Sequence, residues 1–296
     1  MEEEELEKLR KAGKIAAEAL KYAKSLIKPG ASLLDVTKKV EEKIVQMGGG
    51  FAFPAQFSCN DIAAHYCAEA DDDIIFDKQL VSVDIGVEVD GFIGDNAMTV
   101  DLSGENSELV QASRDALENA LKLIKPGAKL GEIGKAIQDA ITSRGFAPVR
   151  NLSGHGLGEY KIHTKPTIPN YDNGDETELK EGDVIAIEPF ASAGAGVVYE
   201  SSPASVFELI EKKPVRNMFT RKILKEIEGY KDLPFCRRWL VDKFGEAKVN
   251  FALRELKNIG VIREYPPLVD QSHGLVSQAE KSLIVTEDGC EVLTDY

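Results

Sequence analysis

The chain has 296 residues, of which 43% are hydrophobic and 29% charged, and its formal net charge is −14. This composition is typical of a globular protein of one or two domains, and the negative charge argues against a molecule that binds nucleic acid over its whole surface. No apolar run approaches the ~20 residues that span a membrane, the charged start lacks the apolar core of a signal peptide, and four cysteines without a CxxC pair fit a reducing compartment, so we expect a cytoplasmic protein.

A duplicated pair of helices organises the first half of the sequence. Apolar spacing predicts one helix over Leu6–Ile27, and Ser32 begins a second helix that runs to the Gly-Gly-Gly stretch. Residues 116–145 repeat residues 19–48 with 13 identities in 30 positions, including the whole Lys-Pro-Gly-Ala turn. A match of that length indicates an internal duplication of a helix–turn–helix unit.

An apolar segment, Leu80–Val100, predicts two strands joined by a two-residue turn at Asp90-Gly91, the strongest short signal for a hairpin. Such a hairpin makes Asp84 and Asp95 diagonal neighbours on one face of the ladder. Two carboxylates inside apolar strands repel each other and lose hydration unless a cation lies between them. The alternative, in which one or both lie on a solvated face, stays open at this point.

The second half of the duplication has its own apolar strand, which ends in Glu188 as the first strand ends in Asp84. Two halves related by a pseudo-two-fold axis would bring these carboxylates together. The pattern therefore predicts an α+β domain whose site lies between the halves.

Two further side chains extend this set of possible ligands. His155 lies among glycines, which let the backbone approach a ligand closely, although a histidine beside glycines is more often a turn residue. Glu280 lies in the last long predicted strand, Leu275–Val285. One imidazole and four carboxylates suit two divalent cations, with Mn, Fe or Co favoured over a structural zinc. Two such ions support hydrolase chemistry.

The segment 205–266 has a different character. It carries 14 Lys and Arg against 9 Asp and Glu in an otherwise acidic chain. Three stretches at helical spacing lie there: Phe219–Ile227, Phe235–Phe244 and Val249–Ile259. We therefore predict a winged-helix-like subdomain at 205–266, inserted into a catalytic domain of residues 1–204 and 267–296. Its basic surface is either a docking site or a solvated helix face.

The ordered set Asp84, Asp95, His155, Glu188 and Glu280 resembles the five metal ligands of the methionine aminopeptidases and the related prolidases, which share the pita-bread fold. The helical insert and several motifs narrow the resemblance to the type 2 methionine aminopeptidases. These motifs are Phe53-Pro54, Ala63-Ala64-His65-Tyr66, Asn151-Leu152-Ser153-Gly154-His155, Ile162-His163, Ala186-Ile187-Glu188-Pro189-Phe190 and Tyr265-Pro266-Pro267-Leu268.

The resemblance implies an α+β, pseudo-two-fold pita-bread fold with two divalent metal ions of Co, Mn, Fe or Zn. Asp84 and Asp95 would hold one ion, Asp95 and Glu280 would span both, and His155 and Glu188 would complete the second. Glu188 would also take a proton from the attacking water.

The resemblance further implies removal of the N-terminal methionine from nascent proteins and peptides, with a preference for small second residues. His65 and His163 would flank the site, polarise the scissile carbonyl and handle the leaving-group proton. An apolar pocket for the methionine side chain would be formed by Phe53, Ile162, Phe190 and Tyr265. The implied partner is a peptide or nascent-chain N-terminus, and we also expect a monomer, contact with the ribosome through the basic insert, and no membrane association.

The chain departs from the family pattern beside the last ligand, where Gln278-Ala279-Glu280-Lys281 replaces Gln-Phe-Glu-His. By strand alternation, positions 279 and 281 face away from the site. We therefore expect altered packing and an altered rate, with metal binding retained.

Two alternative functions are compatible with this fold. A proline-specific dipeptidase or aminopeptidase is disfavoured by the basic insert. A non-catalytic scaffold that binds RNA or ribosomes through its insert is disfavoured because all five ligand positions and both flanking histidines are present.

Overall fold

The computed structural model describes residues 2–201 and 203–295. Within these ranges lie seven α-helices: α1 (Glu3–Leu26), α2 (Leu33–Gln46), α3 (Ser107–Leu121), α4 (Leu130–Ser143), α5 (Met218–Ile227), α6 (Arg237–Phe244) and α7 (Glu246–Asn258). A 3-10 helix, Glu228–Tyr230, follows α5. None of the helices in these ranges is long and apolar enough to cross a membrane.

Strands supply the rest of the regular structure. In chain order they are β1 (Gly50–Phe51), β2 (Gln56–Cys59), β3 (Ile62–Ala64), β4 (Leu80–Val89), β5 (Phe92–Asp101), β6 (Ala147–Pro148), β7 (Ser153–Gly158), β8 (Lys161–Pro169), β9 (Val184–Ile187), β10 (Phe190–Ser192), β11 (Val198–Glu200), β12 (Val206–Leu209), β13 (Phe235–Cys236), β14 (Ile262–Tyr265), β15 (Leu268–Asp270), β16 (Val276–Gln278), β17 (Glu280–Val285) and β18 (Cys290–Val292).

A nine-stranded sheet forms the centre of the molecule. Its strand order is β1-β4-β5-β17-β9-β7-β8, with β2 beside β4 and β18 beside β17. Helices α1 and α2 share one buried core with β2 and β4, and α3 and α4 share another with β9 and β17. Each helix pair thus buries its apolar stripe against one half of the sheet, as amphipathic helices do.

The repeated sequence forms a repeated structure. The N–H of Gly30 donates to the carbonyl of Phe76 at 2.7 Å, and the N–H of the matching Gly127 donates to the carbonyl of Leu179 at 2.9 Å. Both glycines lie in the left-handed region, with φ of 86° and 82°, which a residue without Cβ adopts at little cost. The predicted α+β architecture with two equivalent halves is confirmed.

The predicted hairpin is confirmed in its register. Val89 pairs with Phe92, and Asp90 and Gly91 have φ of 51° and 92°. Positive φ at both turn residues matches the twist of the flanking strands, which is why Asp-Gly is favoured there. The turn fixes the face to which every side chain of β4 and β5 points.

The prediction of one continuous strand over Leu275–Val285 is wrong. The chain leaves a three-stranded sheet of order β16-β10-β6 and enters the central sheet as β17. Between them the N–H of Ala279 donates to the carbonyl of Pro189 at 3.2 Å. An apolar run looks the same in sequence whether it crosses one sheet or two.

The segment 205–266 packs around its own core. Helices α5, α6 and α7 share it with β12, β13 and β14, through Ile223, Ile227, Leu240, Leu253 and Leu256 among others. The predicted helix Phe235–Phe244 begins only at Arg237, because Phe235 and Cys236 form the short strand β13 beside β12. The domain boundaries 1–204 plus 267–296 and 205–266 stay a prediction.

A buried ion pair joins this segment to helix α2. Arg238 in α6 donates to both carboxylate oxygens of Glu41 in α2, at 2.7 and 3.0 Å. Its Nε donates to the carbonyl of Ala68 at 3.1 Å, and the indole of Trp239 also donates to Glu41. Arg238 is only 2% exposed, so the carboxylate of Glu41 offsets the cost of burying its positive charge.

Candidate metal centre

The five predicted ligands meet at the middle of the central sheet. Five neighbouring strands, β4-β5-β17-β9-β7, place one ligand each. Asp84, Asp95, Glu280 and His155 lie on β4, β5, β17 and β7, and Glu188 directly follows β9. All five line one cavity of about 230 Å³. Residues far apart in sequence thus converge because their strands are adjacent in the sheet.

The register explains why three of these carboxylates share one face. Asp84 and Glu280 both pair with Ala97, from opposite sides of β5, and residues paired across a ladder point to the same face. Asp95 lies two residues before Ala97 and therefore points to that face as well. The small side chain of Ala97 leaves open the space that the carboxylates surround.

Each of these three carboxylates has one buried oxygen that accepts no hydrogen bond from the described residues. Among the described residues, Asp84 Oδ1, Asp95 Oδ1 and Glu280 Oε2 have no hydrogen-bond partner. Asp95 is 2% exposed and Glu280 1%. Burying an ionised carboxylate without a partner is costly, so burial raises the pKa of Asp84 to about 7. Burial and the neighbouring acids raise the pKa values of Asp95 and Glu280 well above their usual range. A bound cation would remove this penalty.

The imidazole of His155 is oriented as a ligand. Its Nδ1 lies 3.3 Å from the carbonyl of Gly156, which can only accept, so Nδ1 carries the proton and Nε2 presents its lone pair. That Nε2 lies 3.4 Å from Glu188 Oε1 and 3.7 Å from Asp95 Oδ2. Burial, followed by nearby His163, lowers the pKa of His155 to about 3, so the ring is neutral.

A neutral nitrogen facing carboxylate oxygens is an arrangement that a cation between them would stabilise. Donor atoms of Asp95, His155 and Glu280 all lie within 4.8 Å of one another. One imidazole with carboxylates suits divalent transition metals, and the backbone contact at Nδ1 is the kind that fixes a metal-binding tautomer. The residues present therefore fit a bound divalent metal.

Both predicted flanking histidines lie at this cavity. The rings of His163 and His155 are 4.6 Å apart at 78°, and the ring of His65 lies 5.4 Å from that of Tyr265. Burial, then the charge of His163, lowers the pKa of His65 to about 4. Burial likewise lowers the pKa of His163, with a smaller contribution from Arg263. Both rings are therefore neutral hydrogen-bonding groups in the pH range of most enzymes.

All four predicted apolar pocket residues line the cavity with the ligands: Phe53, Ile162, Phe190 and Tyr265. Sequence reasoning missed Gln56 on β2, and also Val206 and Pro234, which come from the inserted segment. The pairing of Gln56 with Asp84 across β2 and β4 could not be predicted, because β2 is separated from β4 by an irregular stretch. Pro234 lies in the Leu-Pro-Phe string that precedes Trp239.

The departure beside the last ligand lies outside the cavity, although Ala279 lies between β16 and β17 and only Lys281 follows strand alternation. Ala279 packs in the core shared with α3 and α4, and Lys281 pairs with Asp295 at 2.5 Å. Gln278, which the family pattern retains, donates to Asp84 Oδ2 at 3.5 Å. The two departing residues thus lie away from the ligands, while Glu280 lines the cavity.

Without bound metal, the protein's free energy of unfolding is expected to fall as the pH rises. The folded, metal-free pKa of Asp84 is about 7 against an ordinary 3.8, so the folded state holds the extra proton between these values and loses stability as pH passes through them. A difference of one in pKa between the folded and unfolded states corresponds to about 1.4 kcal/mol of folding free energy. We expect the melting temperature of the metal-free protein to fall from about pH 6.5 upward, because below 6.5 the lowered pKa values of His65, His155 and His163 act in the opposite direction. The melting temperature of the Mn-loaded protein should change little. Asp84→Asn should flatten the metal-free curve; parallel curves for the metal-free and metal-loaded protein would contradict the assignment.

Comparisons with known proteins agree with this site. The model of metallopeptidase family M24 matches residues 7–210. The chain is 46% identical over 294 residues to a methionine aminopeptidase of Thermococcus onnurineus, covering 98% of this chain and 100% of that one. It is 35% identical over 306 residues to methionine aminopeptidase 2 of Schizosaccharomyces pombe, covering 97% and 72%.

A solved structure supports the same assignment. The crystal structure of the methionine aminopeptidase from Thermotoga maritima superimposes with a TM-score of 0.74 at 26% identity, covering 100% of this chain and 98% of that one. Family, relatives and fold agree with a buried, carboxylate-rich centre. The chain therefore belongs to metallopeptidase family M24, and it is a metallo-aminopeptidase related to the methionine aminopeptidases.

Proposed function

We propose that this chain is a type 2 methionine aminopeptidase that uses two divalent metal ions to remove the N-terminal methionine from peptides and nascent proteins. One observation carries the proposal: five adjacent strands direct four carboxylates and one imidazole, with unpartnered buried oxygens, into the floor of a partly apolar cavity. Type 2 is supported by the inserted segment and by the match to methionine aminopeptidase 2 over 97% of the chain.

The residues that would hold the ions are Asp84, Asp95, His155, Glu188 and Glu280. Four carboxylates are more than one divalent ion needs, which favours two ions, of Co, Mn, Fe or Zn. Bound there, the ions would supply Lewis-acid polarisation of the scissile carbonyl and a water acidified toward neutral pH.

Glu188 has the surroundings of a general base. Burial, followed by the charges of Asp84 and Asp95, raises its pKa well above the usual range. It lies beside His155 at the cavity wall. A carboxylate of raised pKa there would take a proton from the attacking water.

The two histidines would bind the peptide bond that is cleaved. Nδ1 of His65 lies 3.2 Å from the carbonyl of Pro266, so Nε2 is left as an acceptor for a substrate N–H. His163, between His155 and Tyr265, would hold the carbonyl oxygen as negative charge develops on it.

Specificity would follow from the two ends of the cavity. The apolar wall of Phe53, Ile162, Phe190 and Tyr265 suits one long unbranched side chain. The acidic floor attracts a free α-ammonium group, which an internal peptide bond lacks. The second residue would lie between the histidines, and we expect this position to accept a small side chain.

The remaining interactions stay predictions. Contact with the ribosome is supported by the excess of basic residues in 205–266, and by Met218, Phe219 and Phe251, which this segment exposes. We also propose a monomer that acts in the cytoplasm.

A peptide assay tests the proposed function. We expect Mn- or Co-loaded protein to release methionine from Met-Ala-Ser at least roughly tenfold faster than from Met-Phe-Ser, because discrimination arises from transition-state fit in a confined site. Ala-Pro peptides should stay intact. Cleavage confined to Xaa-Pro bonds would favour the prolidase alternative, and no cleavage by fully metal-loaded protein would favour the scaffold.

A further inference from the structure

His65 has an unusual backbone conformation for a residue that faces the substrate cavity. Its φ is 68°, in the left-handed region that is unfavourable for a residue with a Cβ. Such a conformation persists only where surrounding contacts determine it. It directly follows β3, so the chain turns sharply where the ring enters the site.

Two contacts hold His65 in this conformation. The side-chain oxygen of Gln56 accepts the His65 backbone N–H at 2.7 Å. The carbonyl of Pro266 accepts from His65 Nδ1 at 3.2 Å. The first contact fixes the backbone and the second fixes the ring, so His65 Nε2 is left to face the cavity as an acceptor.

Gln56 is itself built into the metal centre. It is buried, it lines the cavity, and it pairs with Asp84 across β2 and β4. An apolar tip in place of the Gln56 amide would leave the His65 N–H without this acceptor. Gln56 thus links the two residues: its backbone pairs with Asp84 in the sheet, and its side chain accepts a hydrogen bond from His65.

We propose that Gln56 is a positioning residue, which aligns His65 with the metal centre for the reaction given under Proposed function. It acts through His65 and touches no reacting atom. This inference rests on the proposed function, but its structural part can be tested without activity.

A double-mutant cycle separates this role from direct substrate binding. We expect Gln56→Met, which keeps side-chain length and removes the acceptor, to lower kcat roughly tenfold with a smaller change in KM. His65→Ala should lower kcat by about 10²-fold or more. In the His65→Ala background, Gln56→Met should have almost no further effect, because a residue that acts only through His65 has nothing left to position.

Control measurements separate a positioning role of Gln56 from a general effect of the substitution on folding or metal binding. Gln111→Met makes the same chemical change on helix α3, away from the site, and should leave kcat unchanged. Melting temperature and metal content of each variant check the fold. Additive losses in the double variant would overturn the proposal, because Gln56 would then act independently of His65.

A second readout needs no turnover. Long-range ¹⁵N–¹H spectra of the protein loaded with diamagnetic Zn should show His65 as a single Nδ1-protonated tautomer, and Gln56→Met should shift or broaden these signals while His273 stays unchanged. Unchanged His65 signals would overturn the positioning role even if the wild type cleaved peptides. Failure of wild type to release methionine would instead contradict the proposed function alone.

Discussion

Glu188→Gln is expected to reduce kcat for methionine release by roughly 10³-fold while the protein stays folded. An amide has nearly the shape of a carboxylate and retains an oxygen toward the site, but it cannot accept a proton from water, and general-base catalysis contributes about 10²–10⁴-fold. Steady-state kinetics on Met-Ala-Ser with saturating Mn, together with circular dichroism and metal analysis, measure the effect.

The control for this change is Glu181→Gln, which removes a carboxylate from an exposed position in the same part of the chain. It should leave kcat within about twofold, as substitutions at exposed sites usually have small effects. A Glu188→Gln enzyme with normal kcat and full metal content would refute the role as base. Loss of activity explained entirely by loss of metal would leave Glu188 as a ligand and remove the proton-transfer role.

Arg238→Met is expected to lower the free energy of unfolding by about 3–5 kcal/mol, because it leaves the carboxylate of Glu41 buried without its charged partner. Arg238 is 2% exposed and makes three hydrogen bonds, two to Glu41 and one to the carbonyl of Ala68. Urea unfolding followed by circular dichroism measures the change. The double variant Glu41→Met/Arg238→Met should recover much of the loss, since it removes both charges.

Exposed Arg221 offers a matched control, because Arg221→Met removes the same charge without uncovering a buried carboxylate. Its free energy of unfolding should change by less than about 0.5 kcal/mol. Equal stability of Arg238→Met and Arg221→Met would show that the buried pair does not hold the inserted segment. Because Val206 and Pro234 of that segment line the cavity, Arg238→Met should also raise KM for methionyl peptides.

Part of the candidate metal centre could be predicted from the residues themselves, whereas the full set of five ligands came from the resemblance to a known family. The Asp-Gly turn sets the register of β4 and β5, and register sets which side chains share a face. The hairpin alone therefore places Asp84 and Asp95 on one face of the ladder, but it leaves open whether that face is solvated. Glu188 follows from the duplication, which the matching contacts at Gly30 and Gly127 reproduce in three dimensions.

Features that depend on distant packing could not be predicted. The break at Ala279 is invisible because an apolar stretch has the same pattern in one sheet or in two. The pairing of Arg238 with Glu41 depends on how α6 docks on α2, and no spacing rule encodes that contact. The hydrogen bond from His65 to Gln56 is likewise set by a loop between β2 and β3 whose path is not periodic.

Anomalous diffraction from Mn-soaked crystals is the most direct test of the two-metal centre. Two peaks about 3.5–4 Å apart are expected, among Asp84, Asp95, His155, Glu188 and Glu280, and Glu280→Ala should lose at least one of them. Peaks elsewhere, or none at saturating Mn in active protein, would contradict the assignment of these five residues as the metal ligands.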